Sequence, residues 1–238
     1  MRTTLLPVAA STNDELKRLA LRGEASPGDA VAADRQTGGR GRLGRSFFSP
    51  PGGIYVSVYL EPDLPPERIA TVSAAAAAAS CRALDTVGIR AGIKWINDLI
   101  YGGKKLGGIL CEAVADAGMH IRGCIVGVGI NCCPEGTVFP DELADIAAVV
   151  TMDEPCRRAL RDALIAELRA VGDGTAPDWY FYYRERSVVL GREVRVIPCG
   201  RPEFRARVVE IEDSGTLTVE DESGQIQTLS GGEISLRL

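Results

Sequence analysis

The stretch Gly38-Gly39-Arg40-Gly41-Arg42-Leu43-Gly44-Arg45 packs four glycines and three arginines into eight residues. Residues 35–60 contain four arginines and no aspartate or glutamate, although the formal net charge of the chain is -5. Arginine stays protonated, its planar fork matches carboxylate and phosphate oxygens, and glycine lets the backbone approach a ligand closely. A local cation cluster on an acidic protein therefore predicts a loop that binds a specific anionic ligand and becomes ordered around it.

Residues 39–44 of this loop also match the pattern GxGxxG of dinucleotide-binding folds. In those folds a helix begins inside the motif, and an acidic residue follows about 20 positions later. Here Ser46-Phe47-Phe48-Ser49-Pro50-Pro51 follows, which cannot form a helix, and the next element is a strand. Residues 102–105 lack the first glycine and the Ser/Thr of a Walker A loop. Neither nucleotide motif is therefore predicted.

Working outward from the loop, hydrophobic periodicity predicts a mixture of strands and helices. The predicted strands are 29–34, 54–60, 89–95, a hairpin of 99–101 and 104–110 around Gly102-Gly103, and 121–128. The predicted helices are 11–23, 65–87, 141–149, 155–171 and 177–186. From Val188 onward, short strands and turns predict a small β-barrel. We expect a catalytic domain at 1–190 and a C-terminal domain at 191–238.

Composition excludes several classes of protein. The chain has no run of eighteen apolar residues, so we expect no membrane span, and its N-terminus does not resemble a signal peptide. The seven cysteines form no CxxC pair, which favours reduced thiols and a cytoplasmic location. The only histidine is His120, which argues against a Ser-His-Asp triad and a histidine-rich metal site.

Several candidate residues have two interpretations each. Ser11-Thr12-Asn13 matches a helix N-cap, the more common role of such a triplet, but these groups could also face a ligand. Lys105 is either a solvated hairpin residue or a cation held beside the strand 106–110. Because two glycines of this strand leave room for a ligand, such a cation would bind a carboxylate or phosphoryl oxygen. Asp98 is either part of a turn or a hard oxygen ligand for Mg²⁺. Asn131 ends a predicted strand. Taken singly, none of these decides a function.

Taken together, these segments resemble the biotin protein ligases, also called holocarboxylase synthetases. The matching segments occur in the family's order and cover nearly the whole chain: 11–13, Gln36 with 39–45 and 48–50, 94–98, 105–110, 127–131 and 231–237. The arginine loop is specific for the family only in combination with the segments around Lys94 and Lys105.

The resemblance implies an α+β fold: a mixed sheet flanked by helices, similar to class II aminoacyl-tRNA synthetases, followed by an SH3-like barrel. It implies a ligase that makes biotinyl-5′-AMP from biotin and MgATP and releases pyrophosphate. The biotinyl group then passes to a lysine of a biotin carboxyl carrier domain in acetyl-CoA carboxylase or a related carboxylase.

The resemblance also implies roles for individual residues. The biotin-binding residues would be Ser11, Thr12, Gln36, Gly39, Arg40, Arg42, Lys105 and Gly108. The ATP or adenylate ligands would be Arg40, Arg42, Arg45, Trp95, Asn97, Lys105 and Asn131. Lys105 and Arg40 would be the catalytic cations that stabilise the charge developing on the carboxyl and α-phosphate oxygens. Asp98 would lie at the metal.

Two departures from the family pattern affect these expectations. Ser11 comes so early that we expect no N-terminal DNA-binding domain and no repressor function. Ile96 stands where many members have proline, and Leu43 where many have arginine, which bears on how tightly the adenylate is retained. The resemblance leaves open whether the enzyme is a monomer or a homodimer, and which carboxylase accepts biotin.

Three alternatives differ in the ligand that they predict. A lipoate–protein ligase would share the adenylate chemistry, but its arginine- and glycine-rich signature is absent. A nucleic-acid-binding module is disfavoured by a pI of about 5.1 and by the absence of aromatic residues interleaved with the arginines. A carrier-binding protein without catalysis would release no pyrophosphate. We therefore expect no DNA and no membrane among the partners.

Overall fold

The computed structural model of the chain describes residues 1–62, 69–116, 118, 120–174, 176, 178–198, 202–230 and 233–235. Its helices are α1 (Thr12–Leu21), α2 (Ile69–Asp85), α3 (Glu154–Gly172) and α4 (Trp179–Arg186). Its first strands are β1 (Thr3–Leu6), β2 (Ala30–Ala33), β3 (Ile54–Leu60), β4 (Gly92–Lys94), β5 (Asp98–Tyr101), β6 (Lys104–Ala115) and β7 (Ile121–Ile130). They are followed by β8 (Cys132–Cys133), β9 (Val150–Thr151), β10 (Glu193–Ile197), β11 (Phe204–Ile211), β12 (Leu217–Asp221), β13 (Ile226–Leu229) and β14 (Glu233–Ser235).

The first seven strands form one mixed sheet in the order β1-β2-β3-β7-β6-β5-β4. β1 and β2 are parallel, and the other neighbours are antiparallel. Every residue of β3 is buried, because α1 covers one face of the sheet while α2 and α3 lie on the other. Continuous burial of a strand on both faces explains its run of β-branched and aromatic residues.

Both large helices on the second face bury an apolar surface. The tract Ala74–Ala79 of α2 is buried, and its short side chains let the helix lie close to the sheet. In α3 the side chains of Leu160, Leu164 and Leu168 are fully buried at a spacing of four residues. Asp153 caps α3 by accepting a hydrogen bond from the Cys156 amide at 2.9 Å.

The C-terminal strands form a separate antiparallel sheet of five strands in the order β13-β12-β11-β10-β14. Val194, Val196, Ala206, Val208, Leu217 and Val219 alternate with more exposed residues along these strands and are buried. The α+β fold class is therefore confirmed, with helices on the large mixed sheet and a small C-terminal antiparallel sheet. The division at residue 190 stays a prediction.

One predicted helix is wrong. Residues 141–149 contain a single 3₁₀ turn at Asp141–Leu143 and then lead into β9, which pairs in parallel with β8. Ile146 and Val149 are exposed, so the segment has no continuous buried stripe that would stabilise a helix. Its backbone is used otherwise: the Lys105 amide donates to Ile146 O and the Ala148 amide to Lys105 O, each at 2.8 Å.

Other predicted elements differ mainly at their ends. The strand predicted at 89–95 is confined to β4, whereas the second hairpin strand extends to Ala115. The predicted helix starts at Pro65 and Pro177 lie outside the described residues, as do four residues of the C-terminal motif 231–237. Across the described ranges, each helix falls short of the length and hydrophobicity that a membrane crossing requires.

Candidate active site

A cavity opens where the arginine loop, the start of α1 and the β5–β6 hairpin meet over the end of β7. Eleven of the thirteen residues that the sequence predicts for the site line it: Ser11, Thr12, Gln36, Arg40, Arg42, Arg45, Trp95, Asn97, Asp98, Lys105 and Gly108. These residues come from separate segments of the chain. The fold therefore brings together groups that are distant in sequence, such as Asn13 and Leu110, which are 97 positions apart.

One end of the cavity is neutral and polar. Gln36 Oε1 accepts hydrogen bonds from the backbone amide of Thr12 at 2.9 Å and from its hydroxyl at 3.1 Å. Gln36 Nε2 donates to Ser49 Oγ at 3.1 Å, and that hydroxyl donates to Phe47 O. Ser11 caps α1, because its hydroxyl accepts from the Asp14 amide at 3.5 Å. The Gln36 side chain is therefore fixed in orientation before it meets a ligand.

A second layer of polar groups supports this end. The buried Ser57 hydroxyl lies 2.8 Å from Thr12 Oγ1 and 2.6 Å from Asn13 Oδ1. Asn13 Nδ2 donates to Glu112 Oε2 at 2.7 Å and to Leu110 O at 3.2 Å. Buried polar groups are costly unless they are hydrogen-bonded, and these side chains satisfy one another. The result is a rigid network between α1, β3 and β6.

The rest of the lining, called here the cationic end, carries Arg40, Arg42 and Lys105, and Glu112 connects Arg40 to Asn13 of the neutral end. Arg42 Nη1 donates to Asn97 Oδ1 at 3.1 Å, and Asn97 Nδ2 donates to Ile109 O at 2.6 Å. Arg40 Nη2 binds the carboxylates of Asp14 and Glu112. The two guanidinium groups are therefore attached to the hairpin and to α1, although the loop that carries them has little regular structure.

Lys105 stands near the start of β6. Its ammonium group is 2.6 Å from Asp98 Oδ1, and 43% of its side chain is exposed. Gly108 lies beneath it: a Cβ at that glycine would be 3.5 Å from Lys105 Nζ. Lys94, which pairs with Asp98 across β4 and β5, adds a second lysine to the lining. Lys94 at the end of β4 and Lys105 in β6 thus place two positive charges, carried by regular strands, in the cavity that the loop arginines also line.

Trp95 links the cavity to the C-terminal sheet. The indole is buried and lines the cavity, and its Nε1 donates to Gly215 O at 2.9 Å. Gly215 belongs to the turn between β11 and β12, where its φ is +81°. A backbone carbonyl of this turn therefore helps to hold a cavity-lining side chain in place.

Two predicted residues lie away from the lining. Gly39 packs tightly against the far side of the loop. A Cβ at this position would come within 2.4 Å of Phe47 O and Ser49 Oγ, so a side chain does not fit there. Asn131 is buried and donates to Ala148 O at 3.0 Å, and its amide oxygen has no partner among the described residues. The expected contact of Asn131 with an adenylate stays a prediction.

The residue assignments made from the sequence leave out ten lining residues, of which Asn13 was considered as a ligand-facing group but given no role: Asn13, Gly41, Ser46, Phe47, Lys94, Ile109, Leu110, Gly127, Val128 and Gly129. They also leave out the supporting residues Ser49, Ser57 and Glu112. Two signals were available: alternate glycines at 127 and 129 in an otherwise apolar strand, and a single carboxylate in the apolar part of β6. The glycines indicate a close approach by another group, and the lone carboxylate indicates a charge that needs a partner.

A thiol close to this cluster, that of Cys111, is disfavoured as a nucleophile by its surroundings. Burial raises the pKa of the Cys111 thiol, and the opposing effect of the Arg42 charge is smaller. A raised thiol pKa means that the group is protonated at neutral pH, and the thiolate is the reactive form. The cavity therefore offers fixed cations and hydrogen-bond donors, which suit the binding and activation of an acid rather than covalent catalysis by a cysteine.

Comparisons with known proteins point to one family. The sequence profile of the Biotin/lipoate A/B protein ligase family matches residues 5–131, and that of the Biotin protein ligase C terminal domain matches residues 189–237. A Bacillus spizizenii protein named bifunctional ligase/repressor BirA is 41% identical over 142 residues. That match covers 59% of this chain and 43% of the relative, so the chain spans less than half of that protein's length.

Two further matches extend over nearly the whole chain. A Mycobacterium tuberculosis protein named biotin–[acetyl-CoA-carboxylase] ligase is 31% identical, covering 94% of this chain and 85% of its own length. A structure of the Aquifex aeolicus biotin protein ligase in complex with biotin and ATP is 26% identical, with a TM-score of 0.77 and coverage of 99% and 98%. This chain therefore belongs to the biotin/lipoate A/B protein ligase family.

Proposed function

We propose that this chain is a biotin protein ligase. It would activate biotin with ATP to biotinyl-5′-AMP and then transfer the biotinyl group to a lysine of a biotin carboxyl carrier domain. The observation that carries this proposal is that one cavity is lined both by a neutral side chain held in place by hydrogen bonds, Gln36, and by three cations, Arg40, Arg42 and Lys105. The names of the two relatives and the ligands of the Aquifex aeolicus structure support the same activity.

Biotin binding would begin at the neutral end. We assign Ser11, Thr12 and Gln36 to the ureido group of biotin, which has both donors and an acceptor to satisfy. Their orientation is set by contacts with Ser49 and Ser57, so little conformational entropy is lost when the ligand binds. Gly108 would let the apolar body of biotin pass close to β6.

Adenylate formation would take place at the cationic end. The biotin carboxylate attacks the α-phosphorus of ATP, the P–O bond to the β-phosphate breaks, and pyrophosphate leaves. Negative charge grows on the oxygens around phosphorus, and Arg40, Arg42 and Lys105 would stabilise it from fixed positions. We assign Arg45, Trp95, Asn97 and Asn131 to the nucleotide.

Mg²⁺ is expected with ATP, and the residues fit a metal that arrives on the phosphates. Magnesium sites in nucleotide enzymes commonly use one or two carboxylates plus phosphate oxygens. Asp98 offers one carboxylate beside Lys105, whereas no group of three or more metal-ligating residues occurs among the described residues. Asp98 would therefore hold the ion, and the ion would neutralise phosphate charge.

The second step needs no nucleophile from this chain. The acceptor lysine amine attacks the carbonyl carbon of the adenylate, an amide bond forms, and AMP leaves with the mixed-anhydride oxygen. The same cations that favoured adenylate formation stabilise the departing phosphate. The acceptor carboxylase, a possible homodimer and the cytoplasmic location remain predictions, and the repressor activity named for the Bacillus relative is not assigned to this chain.

The decisive experiment is ATP–pyrophosphate exchange by the purified protein with biotin and lipoate compared side by side. We expect exchange that requires biotin, ATP and Mg²⁺, with lipoate inactive. Exchange that occurs with lipoate but not with biotin would contradict the proposal and indicate lipoate ligation, since lipoate is the other acid in the family's name. Binding of a carrier domain without any exchange would indicate a protein that recognises the carrier but has no ligase activity.

A further inference from the structure

Glu112 is an acidic residue that the proposed chemistry does not use, although it lies beside the cation cluster. We propose that Glu112 is a positioning residue, which fixes the Arg40 guanidinium and so attaches the arginine loop to the sheet for adenylate formation. This inference rests on the proposed function, and its test includes a measurement that does not depend on activity.

The first observation is the set of contacts that Glu112 makes. Both of its carboxylate oxygens lie within reach of Arg40 Nη2, at 3.1 and 3.2 Å. Oε2 also accepts from Asn13 Nδ2 at 2.7 Å. The Glu112 carboxylate therefore connects two groups: Asn13 of the neutral network and the Arg40 guanidinium, which is 72 residues away from Glu112 in the sequence.

The second observation is that Glu112 is less exposed than the other carboxylate on Arg40, although the Asp14 carboxylate makes the closer contact with Nη2. The Asp14 side chain is 51% exposed and lies on the first turn of α1, whereas Glu112 is 22% exposed and lies within β6, an interior strand of the sheet. Ion pairs of exposed groups are screened by water, and partly buried ones are screened less. We therefore expect Glu112 to dominate the orientation of Arg40.

The third observation concerns the part of Arg40 that remains for a ligand. Within the described part of the chain, both carboxylates contact the same nitrogen, Nη2. Nη1 and Nε have no partner there, and Arg40 lines the cavity. A guanidinium group held by one nitrogen can still present a second edge to a carboxylate or phosphate. Glu112 thus orients Arg40 and leaves donors for the substrate.

The test compares Glu112→Gln with Asp14→Asn, which removes the charge of the other Arg40 partner. We expect Glu112→Gln to lower kcat for adenylate formation about tenfold, in line with the loss of one well-placed charge interaction, while KM for biotin changes less than about twofold. Asp14→Asn should lower kcat less than about twofold. Equal effects of the two variants on kcat would contradict the special role of Glu112.

A double-mutant cycle with Arg40→Ala separates positioning from a general structural effect. If Glu112 acts through Arg40, Glu112→Gln should lower kcat no further in the Arg40→Ala background. Additive losses would overturn the inference. If Glu112→Gln fails to fold, as judged by circular dichroism, Glu112→Asp takes its place in the cycle.

Limited trypsin digestion supplies the measurement that is independent of activity. Cleavage after Arg40, Arg42 and Arg45, identified by mass spectrometry, should be severalfold faster in Glu112→Gln than in Asp14→Asn and the unmodified chain. Unchanged cleavage would contradict attachment of the loop by Glu112. If the unmodified chain forms no biotinyl-AMP, the proposed function fails, and the digestion alone still decides what Glu112 does to the loop.

Discussion

The two ends of the cavity are built in different ways. At the neutral end, Thr12, Asn13 and Ser57 are at most 4% exposed and bind one another from a helix and a strand. At the cationic end, the side chains of Arg40 and Lys105 are 41% and 43% exposed and each contacts a carboxylate. The difference separates two tasks: rigid neutral groups suit discrimination of a ligand, and partly exposed cations stay accessible to the oxygens of a substrate.

The largest effect is expected at the cationic end. Lys105→Ala should lower the rate of biotin-dependent pyrophosphate exchange by about 10²–10³-fold, because it removes a fixed charge from the reacting oxygens. Thermal unfolding should change little, since the ammonium group is partly exposed.

Lys104→Ala is the matched control, because the neighbouring Lys104 is exposed and contacts Ala144 O. It should retain the exchange rate. Comparable losses of exchange rate in the two variants would show that the total charge of the hairpin matters rather than the position of Lys105. The contrast between the two ends of the cavity would then fail.

An intermediate effect is expected at the neutral end. Gln36→Ala removes the acceptor for two Thr12 groups and should raise KM for biotin about tenfold, the equivalent of roughly 1.4 kcal/mol. KM for ATP should change much less. Steady-state kinetics with each substrate varied in turn measures both KM values. A rise of KM for ATP without a rise for biotin would contradict the assignment of Gln36 to biotin.

A smaller effect, on stability rather than on rate, is expected beneath the neutral end. Ser57→Ala removes the buried hydroxyl that contacts Thr12 Oγ1 and Asn13 Oδ1 and should lower the free energy of unfolding by about 1–3 kcal/mol. Urea titration followed by circular dichroism measures this loss. Ser223→Ala, in an exposed turn, serves as the control, and equal losses in both variants would argue against a rigid polar network.

The smallest effect is expected where the cavity meets the C-terminal sheet. Trp95→Phe removes the hydrogen bond to Gly215 O and should cost about 1 kcal/mol, with a modest rise in KM for ATP. Differential scanning calorimetry and exchange kinetics give the two values. A change in KM for biotin without any change in KM for ATP would contradict the assignment of Trp95 to the nucleotide.

The sequence was most informative where function depends on local chemistry. The arginine loop, the hairpin around Gly102-Gly103 and the short C-terminal strands were all predictable, because each carries a local signal of charge, turn residues or alternation. Eleven of thirteen candidate residues lie around one cavity for the same reason: the motifs that carry them are short and specific in combination.

What the sequence could not supply depends on long-range pairing. The edge strand β1 and the paired strands β8 and β9 are short, and their partners are distant in the chain. Ser57 has ordinary surroundings in the sequence, and Glu112 is marked only as a lone carboxylate in an apolar strand, so their partners become known only when α1 meets the sheet. Local pattern predicts a helix over the segment 141–149, whereas its conformation is decided by backbone hydrogen bonds with Lys105.

The glycines of β7 have a consequence for redesigning this cavity. A methyl group at Gly127 would come within 2.0 Å of Asn13 Oδ1, and one at Gly129 within 2.7 Å of the Phe47 ring. The floor at these points is bare main chain, with no side chain left to trim. Adding a single carbon atom at either glycine would therefore force Asn13 or the Phe47 ring to move, so the size of the cavity can be changed only through the side chains of its walls.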